Sequence, residues 1–180
     1  MHLFYEKKDR TNKRLIEGII LEKYNQYYRL AYSYVHNEAD AADIVQNGAY
    51  KALKHAHTLK EAEYAGTWVY RIMLNECFRY VKQSGSLSYE AIQEQSGMEV
   101  GYQEDKYANI DLKRALDTLP DKDKAIVIMK YFEDMKLTEI AEILDENVNT
   151  IKSKLYRSIN KLRSVLSDEP DCKVQTKNVK

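Results

Sequence analysis

Residues 137–166 read LTEIAEILDENVNTIKSKLYRSINKLRSVL, a pattern that predicts two short helices joined by a tight turn. The first helix is acidic and has its apolar stripe at Ile140, Ala141 and Leu144. In the second helix, the apolar residues recur at spacings of four, four, three and four, at Ile151, Leu155, Ile159, Leu162 and Leu166. Every charged side chain from residue 147 to residue 167 is a lysine or an arginine. A helix-turn-helix of which only the second helix is basic suits the major groove of DNA.

The outward face of this second helix presents groups that can bind DNA. Because residues advance about 100° each around an α-helix, Ser153 points away from the apolar stripe. Outward Asn, Ser and Arg side chains can hydrogen-bond to base edges, and flanking lysines can reach phosphates. The predicted contacts to duplex DNA are Asn149, Thr150, Lys152, Ser153, Lys154, Tyr156, Arg157, Asn160 and Lys161. Either Asn147 or Asn149 can cap the helix. The alternative is an ordinary helix with a solvated basic face, and the acidic helix before it favours DNA binding.

The overall composition limits the class of protein. A length of 180 residues fits one domain or two small ones, and two prolines and six glycines suit an all-α protein. Because 28 basic residues balance 28 acidic ones, the global charge predicts no partner. The sequence has no apolar run of about 18 residues and no apolar signal core at its start. We therefore expect neither a membrane span nor secretion, and a cytoplasmic protein.

No pattern in the sequence indicates catalysis or a cofactor. Cys77 and Cys172 lie far apart and outside any CxxC, so two reduced cytosolic thiols are expected rather than a disulfide or a metal site. His55 and His57 form an HxH without a third ligand at a suggestive spacing. Phosphate-binding loops, nucleophile elbows and paired catalytic carboxylates are missing from the sequence. We expect no enzymatic activity, no metal, no cofactor and no small-molecule substrate.

The hydrophobic periodicity predicts an all-α fold with two small helical domains joined by a flexible linker. Helices are predicted at about residues 11–35, 40–57 and 64–82, and together they can bury one core. Residues 125–132 are β-prone by composition, but acidic residues at the start favour a helix. The predicted organisation is an N-terminal helical bundle (1–83), an acidic flexible linker (84–110), a C-terminal helix-turn-helix domain (111–167) and a polar tail (168–180).

The third predicted helix carries a second nucleic-acid signal. Arg71, Asn75, Arg79 and Lys82 recur at spacings of four, four and three, which places them on one face. Tyr64, Trp68 and Tyr70 lie near its start. Cations beside aromatic rings suit the backbone and unstacked bases of a single strand. The alternative is a solvated face beside core aromatics, because the chain has 15 tyrosines.

The second predicted helix has an acidic and polar face. Asp40, Asp43 and Asn47 share this face, with Gln46 and Tyr50 beside it. Such a face can dock on a basic partner surface. An ordinary solvated helix start is the alternative, because Asp is common near helix N-termini.

Together these segments resemble the extracytoplasmic-function (ECF) group of the sigma-70 family of bacterial RNA polymerase sigma factors. DAADIVQ at 40–46 resembles the family's core-polymerase-binding motif, and WVYRIMLN at 68–75 resembles the segment that melts and reads the -10 element. Residues 116–120, 139–144 and 149–157 resemble the domain that reads the -35 element. The order and separation of these motifs make the match specific.

The resemblance implies a non-catalytic protein that binds core polymerase and directs it to promoters. It implies that the clamp of the largest polymerase subunit contacts Asp40, Asp43, Ile44, Gln46 and Asn47. It implies that the -10 single strand is held by Tyr64, Trp68, Arg71, Asn75, Arg79 and Lys82, with a flipped base received near residues 60–65. The basic helix would read the -35 duplex, and the linker would run through the polymerase active-site cleft. Many family members are held inactive by a membrane-anchored anti-sigma factor, and the resemblance admits such a partner here.

The sequence departs from the family pattern at several positions. Arg79 stands where Asp is frequent, and Lys82 where Arg is. Asn47 replaces a usual carboxylate, and Gly48 follows it inside a predicted helix, at a cost of about 1 kcal/mol relative to Ala. In the turn, Asp145–Glu146 replaces a usual pair of glycine and an apolar residue.

Two other classes of protein fit parts of the sequence. A conventional transcription regulator that binds duplex DNA alone, usually as a dimer, explains the C-terminal block but neither residues 40–46 nor 68–75. A sigma-like interaction protein would bind polymerase without initiating. Transcription in vitro with purified core polymerase distinguishes these classes.

Overall fold

The structure is a computed structural model that describes residues 2–84 and 106–167, and all regular elements in these ranges are helical. The α-helices are α1 (His2–Glu22), α2 (Tyr24–Val35), α3 (Glu38–Lys54), α4 (Ala65–Ser84), α5 (Lys106–Asp117), α6 (Asp121–Tyr131), α7 (Leu137–Leu144) and α8 (Val148–Ser167). Two 3₁₀ helices, Ala56–Thr58 and Ala62–Tyr64, lie between α3 and α4. The expected all-α fold is confirmed. Among these described helices, none combines the length and the hydrophobicity needed to cross a bilayer.

Several helix boundaries differ from the predicted ones, and the first helix begins at His2 rather than at about residue 11. The first predicted helix is two helices, because Lys23 leaves the helical region with φ −103° and ψ 15°. The apolar stripe continues across this break, so periodicity alone did not reveal it. The helix α3 ends at Lys54, three residues earlier than expected, and α5 begins at Lys106, inside the predicted linker. Residues 85–105 and 168–180, which make up the rest of the predicted linker and the predicted tail, lie outside the described residues.

Helices α1–α4 form the N-terminal module, with a dry core between them. Its fully buried side chains include Ile16, Tyr27, Leu30, Val45 and Met73. Gly48 is buried in α3, on the side that faces α4. A Cβ atom added at Gly48 would lie 2.3 Å from the Sδ atom of Met73 in α4. Alanine at this helical position would therefore have to displace the Met73 side chain of α4.

Helices α5–α8 form the C-terminal module, in which the predicted helix-turn-helix is present. Helix α7 ends at Leu144, and the next residue, Asp145, has a left-handed conformation with φ 54° and ψ 47°. The Asn147 side chain then accepts a hydrogen bond from the backbone N–H of Asn149 at 2.8 Å. Asn147, which directly precedes α8, is thus its cap, which resolves the choice between the two asparagines.

The burial of α6 explains why its sequence was ambiguous between a helix and a strand. Residues 124–129 are all buried, so this stretch of the helix has no solvated side that would give it a clear helical period. The helix interpretation of the β-prone stretch is confirmed. One continuous hydrophobic cluster joins residues of α6 and α7 to the core of the N-terminal module. The two modules therefore pack directly on each other.

Candidate nucleic-acid interfaces

The recognition face predicted on α8 is open to solvent. Ile151, Ser158 and Leu162 are buried on one side of the helix. The exposed residues on the other side are Asn149, Thr150, Lys152, Ser153, Tyr156, Arg157, Asn160 and Lys161. Tyr156 is 70% exposed, which is unusual for a large aromatic side chain. The face has the size and the donors needed to contact base edges and phosphates in a major groove.

Two of the flanking lysines on α8 already have protein partners. The ammonium of Lys154 lies 2.7 Å and 2.8 Å from the two carboxylate oxygens of Glu146, and Lys154 is half-buried. Hydrogen bonding from Lys154 lowers the pKa of Glu146. Lys161 donates to the backbone oxygen of Thr118, just after α5. Glu146 departs from the family pattern, and it has a structural role here because its carboxylate pairs with Lys154 and so links the turn to α8.

The face predicted on α4 for a single strand is also exposed. Arg71, Asn75, Arg79 and Lys82 all lie on it, whereas Val69, Met73 and Cys77 are buried on the opposite side. Tyr64 is 51% exposed at the entrance to the helix. Trp68 is half-buried and packs against the core. The charge of Glu63 and its hydrogen bond with Tyr64 raise the pKa of Tyr64. The aromatic end of this face therefore carries negative as well as apolar groups.

Arg71 is exposed, but its guanidinium also contacts the other module. Its Nε atom donates to the backbone oxygen of Ile143 at 3.0 Å. Its Nη2 atom donates to the backbone oxygen of Glu142. Both carbonyls belong to the last turn of α7. Arg71, which the sequence analysis predicts to contact DNA, thus donates hydrogen bonds to the helix-turn-helix in this structure.

Glu76 is a charged group of the α4 face that the sequence analysis missed. It is 4% exposed, and its Oε1 atom lies 2.5 Å from the ammonium of Lys51 in α3. Its Oε2 atom accepts hydrogen bonds from Nη2 and Nε of Arg79 at 2.5 Å and 3.1 Å. Burial opposes ionisation of Glu76, but the hydrogen bonds from both cations outweigh it and lower the pKa. Lys51 lies four residues after Asn47, so extending the polar stripe by one helical turn would have found it.

The face predicted on α3 for a protein partner is exposed apart from one member. Asp43, Gln46 and Asn47 are exposed, and Asp40 is half-buried. Burial and the hydrogen bond with Asp40 raise the pKa of Tyr80. Ile44 is 3% exposed and belongs to the core, so it is not on the accessible part of this face. It was included because it lies inside the motif, although its position on the helix points inward.

The described cysteine and histidines have the surroundings of structural residues. Burial raises the pKa of the Cys77 thiol to about 12, so this thiol stays protonated at neutral pH. The rings of His55 and His57 lie 6.2 Å apart. Within residues 2–84 and 106–167, no group of three or more His, Cys, Asp or Glu side chains could hold a metal ion. Cys172 lies outside the described residues.

Two family models match the chain, and their ranges coincide with the two modules. Residues 19–86 match sigma-70 region 2, and residues 110–162 match sigma-70 region 4. The first match contains α3 and α4, and the second contains the complete helix-turn-helix. Together the two matches cover well over half of the chain.

Similar proteins of known sequence extend along nearly the whole chain. RNA polymerase sigma factor SigV of Bacillus subtilis strain 168 is 39% identical over 163 residues, which are 91% of this chain and 98% of SigV. ECF RNA polymerase sigma factor SigW of the same strain is 26% identical over 158 residues, which are 80% of this chain and 84% of SigW.

Two solved structures share the fold. One is the sigma factor RpoE in complex with the anti-sigma factor NepR from Bartonella quintana, with a TM-score of 0.63, 21% identity, and coverage of 85% of this chain and 97% of RpoE. The other is CnrH in complex with the cytosolic domain of CnrY, with a TM-score of 0.65, 18% identity, and coverage of 93% and 97%. At these identities, the similarity concerns the fold alone.

Proposed function

Because the chain belongs to the ECF group of the sigma-70 family of RNA polymerase sigma factors, we propose that each of its three exposed polar faces binds a different partner in transcription initiation. The protein binds core RNA polymerase and directs promoter-specific initiation. The observation that carries the assignment is the pair of matched regions, of which the first contains the exposed faces of α3 and α4 and the second contains the exposed face of α8. It acts by binding rather than by catalysis, and its partners place it in the cytoplasm.

We assign the -35 element to the exposed face of α8. The face carries no carboxylate, so it suits the negative potential of a major groove. Arg157 and Asn160 can form bidentate contacts with base edges, and Lys152 can contact a phosphate. Lys154 and Lys161 already have protein partners, so they contribute positive potential near the groove more than direct contacts.

We assign the -10 element to the exposed face of α4 and to Tyr64 in front of it. Arg71, Asn75 and Lys82 can follow the backbone of a single strand, and an exposed aromatic ring can stack on a base. Arg79 is already bonded to Glu76, and this pair neutralises a carboxylate that would otherwise repel phosphate. The Glu76 contacts with Lys51 also fix the angle between α3 and α4.

We assign core polymerase to the exposed face of α3. Asp43, Gln46 and Asn47 form its accessible part, and Asp40 borders it. An acidic and polar face of this kind suits a basic surface on the polymerase clamp. An anti-sigma factor, the kind of protein that binds RpoE, is a further partner.

Transcription in vitro with purified core polymerase tests the function. The full-length chain should yield promoter-specific transcripts only when both proteins are present. Arg157→Ala should weaken initiation from promoters with a -35 element by about 1–3 kcal/mol if it reads a base. Arg163→Ala, an exposed arginine nearer the C-terminal end of the same helix, is the matched control and should leave initiation almost unchanged. Equal losses from the two substitutions on every promoter would reduce Arg157 to a non-specific contact.

A further inference from the structure

We propose that Asn12 of α1 is a positioning residue for the -10 single strand, because it holds the segment that carries Tyr64 in front of α4. The inference rests on the assignment of α4 and Tyr64 to the -10 element in the proposed function. Asn12 was not among the site residues expected from the sequence. It also lies before residue 19, where the match to sigma-70 region 2 begins. Its support is the pair of hydrogen bonds that its side chain donates to the segment between α3 and α4.

Asn12 occupies a position at which an amphipathic helix ordinarily buries an apolar side chain. Asn12, Ile16 and Ile20 follow one another at spacings of four, and all three are buried. Residues at this spacing lie on one face of a helix. Because burying an amide costs free energy unless the amide is hydrogen-bonded, a polar residue in this apolar stripe indicates a specific bonding role.

Both hydrogen bonds run from Nδ2 of Asn12 to backbone carbonyls of the segment. The oxygen of Ala56 lies 2.9 Å away and the oxygen of Leu59 lies 3.1 Å away. Ala56 begins the first 3₁₀ helix, and Leu59 directly follows its last residue. Helix ends leave carbonyls without a partner inside the helix, and the Asn12 amide bonds the Leu59 carbonyl at this end. Because Ala56 and Leu59 are also buried in the core, this part of the segment is held firmly against α1.

A second contact from α1 lies at the start of the exposed tip of the segment. Residues 60–64 are all exposed. The ammonium of Lys8, one helical turn before Asn12, donates to the backbone oxygen of Lys60 at 3.2 Å. Helix α1 therefore contacts the segment up to the residue at which its exposed tip begins.

The exposed tip ends at Tyr64, the aromatic ring that the proposed function assigns to a base. Its ring is 51% exposed, and α4 begins at the next residue, Ala65. Helix α4 thus holds one end of the tip, and α1 holds the other end through Asn12 and Lys8. Ordering a loop during binding costs free energy, and a loop that is ordered beforehand avoids this cost. The two helices therefore preorganise Tyr64 for stacking.

Three substitutions in the full-length chain separate the hydrogen bonds of Asn12 from its packing. Asn12→Asp keeps the size of the side chain but replaces both N–H donors with a carboxylate oxygen, which repels the two carbonyls. Asn12→Ala removes the donors without this repulsion, so it should have the smaller effect and keeps the test open if Asn12→Asp fails to fold. Ile16→Val, one turn later in the same buried stripe, is the matched control because it loosens packing without changing a hydrogen bond.

Amide hydrogen exchange measures the hold on the segment without DNA or polymerase. The N–H of Leu59 bonds to the oxygen of Ala56 at 3.1 Å, and the N–H of Tyr64 bonds to the oxygen of Glu61 at 3.3 Å. Asn12→Asp should speed exchange at Leu59 and Tyr64 by about tenfold relative to amides in the middle of α4, because the segment opens locally. Ile16→Val should leave this ratio at its parent value.

Transcription with core polymerase measures the consequence at a promoter from which the parent chain initiates. The promoter is supplied as a full duplex and as a template whose -10 element is left unpaired. Tyr64→Ala should lower initiation from the duplex by about fivefold or more, through the loss of one stacked base, and Asn12→Asp by about threefold. The unpaired template should restore most of either loss, because no base has to be unstacked there.

A double substitution shows whether Asn12 acts through Tyr64. The Asn12→Asp/Tyr64→Ala chain should initiate as well as the Tyr64→Ala chain, because there is no ring left to position. A general loss of stability would instead multiply the two effects and would persist on the unpaired template. Ile16→Val should initiate like the parent chain on both templates.

Two results would overturn the proposal. One is an exchange ratio at Leu59 and Tyr64 that is no higher in the Asn12 variants than in the Ile16→Val chain. The other is a pair of initiation losses that multiply in the double variant. Failure of the proposed function reads out separately, as an absence of promoter-specific transcripts when the parent chain is mixed with core polymerase.

Discussion

Two helical glycines of this protein should respond in opposite ways to the same substitution. Gly18 lies exposed in α1, and a Cβ atom added there would meet nothing within 4 Å. Gly48 lies buried in α3, where the added Cβ would be 2.3 Å from Sδ and 3.4 Å from Cε of Met73. Alanine at either position reduces the backbone freedom of the unfolded chain, which stabilises a helix by about 1 kcal/mol. Only at Gly48 does it also collide with a neighbour.

The free-energy cost of the collision follows from the packing around Met73. This side chain is 1% exposed, so moving it means pushing its sulfur and methyl group into a filled core. Overpacking of this kind costs about 1–3 kcal/mol. After the helix-propensity gain is subtracted, we expect Gly48→Ala to destabilise the protein by up to about 2 kcal/mol. Gly18→Ala should stabilise it by about 1 kcal/mol, and the two variants should differ by about 1–3 kcal/mol.

Urea unfolding followed by circular dichroism measures the difference, with equal m-values required for the comparison. A double-mutant cycle then identifies the colliding partner. Met73→Ala alone leaves a cavity and should cost about 2–5 kcal/mol. In the Gly48→Ala/Met73→Ala chain the collision is gone, so the total loss should be smaller than the sum by at least about 1 kcal/mol. If Gly48→Ala stabilises as much as Gly18→Ala, the close approach of α3 and α4 is wrong.

Three further predictions concern charged groups. Asp43→Arg should abolish co-purification with core polymerase without changing the circular dichroism spectrum, and unchanged co-purification would remove α3 from the interface. Glu76→Gln should lower the free energy of unfolding by about 1–3 kcal/mol at pH 7. Because the folded-state pKa of Glu76 is below its ordinary 4.5, the stabilisation is present above that value and is lost as the pH falls through the lowered pKa. The difference from the parent chain should therefore shrink below pH 4.5 in urea titrations at several pH values. Glu146→Gln should release Lys154 and increase the salt slope of -35 duplex binding by about 0.9, whereas an unchanged slope would mean that Lys154 does not reach a phosphate.

Local geometry made the recognition face of α8 predictable. The angle between successive residues of a helix does not depend on the rest of the fold, so the position of Ile151 in the core fixed the direction of Ser153. The same reasoning placed Arg71 and Asn75 together on α4. Helix caps are equally local, and the sequence restricted the cap of α8 to two asparagines.

The features that the sequence analysis did not predict have a different cause. They depend on contacts with residues that are distant in the sequence. Gly48 looked like a weak point of α3 until Met73 was seen against it. Glu76 was missed beside the cationic face of α4, because its partner Lys51 comes from another helix. Ile44 was assigned to a partner surface from its place in a motif, although its helical position already pointed inward.

The packing of the modules was the largest feature that the sequence analysis did not predict, yet α6 carried a sign of it. A helix that covers only one core needs a polar face for solvent, and an apolar run on all sides indicates burial on all sides. Residues 125–129 form such a run, AIVIM, and all five are buried. Ala125, Ile126, Ile128 and Met129 belong to the hydrophobic cluster that includes the core of the N-terminal module. The run therefore indicated a second packing partner, which is the N-terminal module. Ile143 lies outside the apolar stripe of α7, and its burial marks where the two modules make contact.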